Sequence, residues 1–310
     1  MRKWVVIAVL LIFLVSAVAM TTAKPKKPEF KPSHATDIEL VKKVTLKGPK
    51  AKAKPPHAGK PKKQAATGVL GDVCGEGCTK YAIVIGISDY PGEDADLNYA
   101  DDDARLVYNI LLNVYGFDVN NVYLLIDDNA TIDNIVAAIN EVKSKAQSGD
   151  GVFFFFSGHG SRGRADDGDK EKVDEAIVVH NGTDLVWLWD GDLKRLFSGF
   201  NTSRIIFAFD SCLAGGMTDL ADAIRVIAMA STENTYSYEG GWGGGHGEFT
   251  YYFFMEGIQN GYADVYDHNG NETLQESFDT TIEEAFDYAK ASCEYDKPTI
   301  SDSFENDLLP

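Results

Sequence analysis

The sequence of 310 residues predicts a single α/β domain with a mostly parallel central sheet and helices on both faces. Three observations carry this. Short uncharged runs of β-branched and aromatic residues recur at 81–87, 151–156 and 205–209, as strands buried on both faces do. Stretches between them repeat apolar residues at helical spacing. The 44% hydrophobic content fills a core of ordinary size once the ends are set aside.

The ends differ from the middle. Residues 1–23 place Arg2 and Lys3 before an apolar stretch from Trp4 to Met20 and then small residues, the order of a secretory signal peptide cleaved after Ala19 or Ala23. An uncleaved membrane anchor is the alternative, though the stretch is just short of the ~20 residues a span needs. Either way the expected location is secreted, extracellular or at the cell surface. Residues 24–70 are Lys/Pro-rich, with 13 Lys against Glu29, Asp37 and Glu39 over 24–63. Few large apolar residues occur there, so an extended, disordered propeptide or linker is expected.

The folded domain is assigned to 71–310, where 14 Lys and Arg face 44 Asp and Glu, a net charge of −30. A basic leader beside so acidic a domain is expected to lie on it or to tether it to an acidic cell surface. Nucleic acid is excluded as a partner, since phosphate contacts need clustered Lys or Arg.

Within the domain, 81–87 reads as a first strand. Residues 96–115 read as a helix with Leu97, Ala100, Ala104, Val107, Tyr108, Leu111 and Tyr115 on one stripe. A strand at 122–126 and a helix at 132–146, N-capped by Thr131, follow. After the strand 151–156 come an acidic loop at 164–174, a strand at 175–179, a short helix after Asp190, and strands at 205–209 and 223–230. The glycine-rich segment 239–247 is expected outside the core, as a mobile rim over a cleft. Helices at 249–261 and 274–293 close the chain.

Two motifs sit where buried strands stop: Ser157-Gly158-His159-Gly160 and Asp210-Ser211-Cys212-Leu213-Ala214-Gly215-Gly216. Ligands of a parallel sheet bind outside the carboxyl ends of its strands, so His159 and Cys212 should share one edge. The histidine precedes the cysteine by 53 residues, close to the spacing of about 50 residues known for one peptidase order. Of the other histidines, His246 is the competitor for the acid, but it ends no strand.

With this pair, the chain resembles the caspase-like clan of cysteine peptidases (family C14), and within it the metacaspase and prokaryotic caspase-like branch, over roughly residues 80–262. The resemblance implies a caspase-like three-layer sandwich and a cysteine endopeptidase whose chemistry needs no cofactor. Cys212 would attack the peptide carbonyl as thiolate and His159 would protonate the leaving amine. The N–H groups of Gly160 and Cys212 would form the oxyanion hole.

By the same resemblance, Asp210 and Asp103 match the acidic pocket of metacaspases, which implies cleavage after Lys or Arg. Helical geometry sets Asp103 beside the apolar stripe, where a carboxylate needs a partner. Lys63 in the leader would then be a site of self-processing. Calcium is a further implication, through Asp174, Asp190 and Asp219, although Gly191 stands where the pattern carries a second aspartate. Residues 267–276 form a degenerate second calcium loop, better read as a polar turn.

Implied partners are protein or peptide substrates, and a monomer is favoured. Two of Cys74, Cys78 and Cys293 could pair in an exported chain, with the pair left open. The rivals are a same-clan peptidase of other specificity, such as Asn, and a catalytically silent calcium-binding surface module.

Overall fold

The computed structural model describes residues 30–47, 77–168, 171–222, 225–266, 280–304 and 309–310. In chain order the elements are β1 (Ala35–Val41), β2 (Val44–Thr45), β3 (Lys80–Gly86), α1 (Ala100–Asn113), β4 (Val122–Ile126), α2 (Ile132–Lys145), β5 (Gly151–Ser157), β6 (Gly160–Ala165), β7 (Asp174–His180) and β8 (Leu185–Trp189). They continue as α3 (Asp190–Leu196), β9 (Ile205–Asp210), β10 (Arg225–Met229), β11 (Tyr238–Gly240), β12 (His246–Gly247), α4 (Glu248–Thr250), which runs into a π-helix (Tyr251–Gln259), α5 (Ile282–Ser292) and β13 (Thr299–Asp302).

A six-stranded sheet ordered β13-β10-β9-β5-β3-β4 forms the middle layer. Its pairings are parallel except at β13. Because side chains alternate along a strand, the uncharged runs feed two cores. Ile83, Ile85, Phe154, Phe156, Phe207 and Phe209 pack with α2 and α3 on one face. On the other, Ala82, Val84, Phe153, Phe155, Ile206 and Ala208 pack with α1, the π-helix and α5. Each fully buried Phe contributes roughly 1.5–3 kcal/mol, and this layering fixes the carboxyl ends of β5 and β9 side by side, Ser157 opposite Asp210.

Two smaller sheets flank that edge. One is antiparallel, ordered β1-β6-β7-β8, and the other joins β12, β11 and β2. Both correct the expectation from sequence. Residues 30–47 of the leader, expected to be disordered, are ordered: β1 pairs with β6 and β2 with β11. Residues 160–165 and 185–189 are strands, the first with no apolar pattern, held by backbone pairing on both sides.

The segment 239–247 lies only partly outside the core, with Gly241, Gly243 and Gly244 exposed. Trp242 is 1% exposed and His246 is buried. Helix α1 begins at Ala100 rather than 96 because the N–H groups of Asn98 and Tyr99 donate to Glu239. Cys78 is disulfide-bonded while Cys212 and Cys293 are free thiols, so Cys293 is not its partner. The signal-peptide region, Lys63, Cys74 and the loop 267–276 lie outside the described residues.

Candidate active site

His159 leaves the end of β5 and is held from three sides. Its N–H donates to the Tyr90 hydroxyl at 3.0 Å, which itself donates to the Val178 carbonyl, and the two rings stack at 5.0 Å. Nε2 donates to the Ala95 carbonyl at 2.8 Å, which leaves Nδ1 as the acceptor nitrogen. Nδ1 receives the backbone N–H of Lys43 at 3.0 Å. Burial drives the imidazole down to about 4.

Cys212 follows β9 and is 1% exposed. Leu213 beside it has φ 58°, a left-handed conformation that costs a non-glycine residue about 1–3 kcal/mol and turns the chain sharply at the sulfur. The Ser237 N–H donates to Sγ at 3.2 Å, and the thiol donates to the Lys42 carbonyl at 3.4 Å. Burial pushes the thiol up to about 12. Gly160 must be glycine, because a Cβ there would collide with the Cys212 carbonyl. The two strand ends thus meet, and His159 and Cys212 bond to opposite ends of one peptide unit, Lys42–Lys43.

Asp210 and Asp103 are both fully buried and converge on the Lys43 ammonium. Lys43 Nζ lies 2.6 Å from Asp210 Oδ1 and 3.7 Å from Asp103 Oδ2, and donates to Ser157 Oγ at 3.2 Å. Asp210 accepts from Ser237 Oγ at 2.7 Å and from the N–H and hydroxyl of Thr250. Asp103 accepts from Ser157 Oγ at 2.8 Å and the Gly247 N–H at 3.0 Å, and its Oδ1 lies 3.0 Å from His246 Nδ1. Burial raises the Asp103 carboxyl, with His246 and Lys43 opposing; burial works to lower the Lys43 ammonium, but Asp210, Asp103 and Glu239 together raise it. A Cβ at Gly247 would collide with Asp210 and narrow the pocket.

The three expected calcium residues are not brought together as a set. Among the described residues, carboxylate oxygens of Glu171, Glu175 and Asp190 lie within 4.8 Å of one another. Asp174 Oδ2 accepts the Ala165 N–H at 2.7 Å, and Asp219 faces Lys194 at 3.7 Å. Burial and the neighbouring Glu233, Glu171 and Asp174 raise Glu175 to about 8. Its side chain presses on Gly216, in the turn that follows Cys212. The space beside Gly191 is taken by Asp167, whose Oδ2 accepts the Gly191 N–H at 3.1 Å and whose buried Oδ1 has no hydrogen bond. A Cβ at 191 would stand 2.7 Å from that carboxylate.

Sequence reasoning missed the parts played by Ser157, Ser237, Thr250 and Glu239, and weighed His246 only as a rival acid, which it set aside. His246 instead bonds Asp103. Glu239 is fully buried and accepts from Thr45 Oγ1 at 2.6 Å and Asn98 Nδ2 at 2.9 Å. The available signal was the leader itself, whose alternation over 36–41 suits a strand.

Comparison with known proteins adds to this geometry. The caspase domain family matches residues 79–293. The chain is 35% identical over 151 residues to metacaspase-4 of Arabidopsis thaliana, covering 46% of this chain and 35% of that protein. It is 33% identical over 159 residues to metacaspase-1 of Pyricularia oryzae, covering 46% and 39%. The chain therefore spans well under half the length of these curated relatives. A crystal structure of protein GSU0716 from Geobacter sulfurreducens aligns with a TM-score of 0.55 at 18% identity, over 75% of this chain and 98% of that one, which is a likeness of fold.

Proposed function

Since the chain belongs to the caspase domain family, we propose that it is a cysteine endopeptidase that opens peptide bonds after Lys or Arg through Cys212 and His159. One observation carries the specificity: Lys43 fills a closed pocket between Asp210 and Asp103. Two buried carboxylates with no substrate cation would be costly, so a basic side chain is the group this pocket is built to receive.

In the reaction, the Cys212 thiol passes its proton to His159 Nδ1, its sulfur bonds to the carbonyl carbon after Lys or Arg, and the carbonyl oxygen takes the negative charge beside the N–H groups of Gly160 and Cys212. His159 Nδ1 gives a proton to the departing amine as the C–N bond breaks. It then takes one from the water that splits the thioester. The Ser237 N–H, already aimed at Sγ, favours the thiolate once the cleft admits water.

The test is a panel of short peptides ending in Arg, Lys, Asn or Asp, assayed on protein freed of residues 1–47. Cleavage after Arg and Lys, abolished by Cys212→Ala, is the expected result. Asp210→Asn should lower kcat/KM for these peptides by roughly 10²-fold or more, since breaking a buried ion pair costs about 3–5 kcal/mol. Cleavage after Asn or Asp alone would overturn the specificity. No cleavage of any peptide would favour a silent module.

We extend the reading to calcium, export and self-processing. Glu171, Glu175 and Asp190 offer hard oxygen donors of the kind calcium takes, and the Asp167 carboxylate stands beside residue 191, where the pattern carries its second aspartate. A calcium ion there would hold the Glu175 carboxylate, whose side chain stands against Gly216 in the turn after the nucleophile. A disulfide at Cys78 supports an oxidising, exported location. Self-processing after Lys63 would occur between molecules, because the cleft of the same chain already holds Lys43.

A further inference from the structure

The leader occupies the cleft with the wrong polarity for a substrate. In a productive complex, the residue that fills the pocket presents its own carbonyl carbon to the sulfur, and the N–H of the next residue meets the imidazole. Here the pocket residue is Lys43, yet it is the N–H of Lys43 itself that meets His159 Nδ1. The carbonyl at the sulfur belongs to Lys42, and it turns its oxygen, not its carbon, to the thiol, from which it accepts a hydrogen bond.

The strands agree. His159 runs directly into β6, so residues on the leaving-group side of a substrate must pass along β6 and those on the acyl side along β11. The leader does the reverse. Residues 35–41 precede the pocket residue and pair with β6, while Val44 and Leu46 follow it and donate to Ser237 and Glu239 beside β11, at 2.9 and 2.8 Å.

We propose that residues 40–46 are a built-in inhibitor, threaded through the cleft in reverse so that Lys43 fills the basic pocket while no bond in the segment is offered for cleavage. This rests on the Lys/Arg peptidase reading. The same peptide unit holds the pair in its neutral form: the thiol keeps its proton on the Lys42 oxygen, and Nδ1 is an acceptor that cannot serve as acid. Burial under the segment moves both groups away from ionisation, the thiol up and the imidazole down. The grip is distributed over the paired edge of β6, the buried Lys43 ion pair, and Ser33, which donates twice to Asp192.

The experiment compares the full chain with Lys43→Glu, which sets a carboxylate against Asp103 and Asp210. Readouts are alkylation of Cys212 by iodoacetamide, cleavage of an Arg peptide, and intact mass after prolonged incubation. Alkylation of the variant at least about tenfold faster, with the bonds at 42–43 and 43–44 intact in the parent, is expected. Equal alkylation rates, or cleavage of the parent at either bond, would overturn the proposal. Faster alkylation with no peptide cleavage would support the inhibitor and count against the peptidase reading. If Lys43→Glu fails to fold by circular dichroism, Lys43→Ala in the full chain replaces it: faster alkylation of Cys212 than in the parent supports the proposal, and an equal rate refutes it.

Discussion

At the scale of the residue, the least comfortable group in the molecule is Glu175. It is raised to about 8 from an ordinary 4.5, so between those values the folded protein holds a proton that the unfolded chain has released. Stability is therefore fully present below pH 4.5 and falls as pH rises through about 8. We expect thermal melts in chelator to show Tm declining over this interval, with Glu175→Gln flattening the decline. Calcium should restore Tm at pH 8 in the parent and do less in Glu175→Gln. A pH profile of the parent unchanged by Glu175→Gln would remove both the titration and its link to the metal. The neighbouring Gly191 and Asp167 show what a charge pattern along a sequence leaves out: beside the glycine stands the carboxylate of a residue 24 positions earlier, visible only when the chain is folded.

At the scale of the element, local chemistry explains what was legible. Strand β5 could be read from its phenylalanines because a strand buried on both faces needs no alternation. Helix α2 could be read from its stripe and its Thr131 cap, whose Oγ1 accepts the Asn134 N–H. Strand β6, Gly-Ser-Arg-Gly-Arg-Ala, carries no such mark, because its neighbours β1 and β7 supply its hydrogen bonds. The helix after 248 was legible as a helix but not as a π-helix, a wider turn that carries Phe254 against Phe153 and Phe155 of β5 and that no local spacing marks. Helix α5 begins with a reciprocal cap, Glu284 N–H to Thr281 Oγ1 at 3.2 Å and Thr281 N–H to Glu284 Oε2 at 2.9 Å. Thr281→Ala should cost about 1 kcal/mol, read as a shift of the urea midpoint at unchanged slope.

At the scale of the whole molecule, His159 and Cys212 were legible because both stand where central strands end, whereas the pocket around Asp103 draws on residues from four separate segments. Long-range placement also governs processing. If the leader is trimmed after Lys63 only between molecules, its rate should rise with protein concentration. A rate unchanged by dilution, followed by intact mass, would show that a chain trims itself.

Strand β1 does more than lead Lys43 to the pocket: it covers the outer edge of the β6-β7-β8 sheet. Once β1 departs, that edge offers open backbone groups to any passing strand, which is the usual route to aggregation. Arg162 and Arg164 project from it, now paired with Glu39 at 2.7 Å and Asp37 at 3.4 Å. Such exposed pairs add little to stability. Their larger consequence would follow release: two unpaired arginines on a bare edge would repel a second copy of the same edge and oppose its pairing.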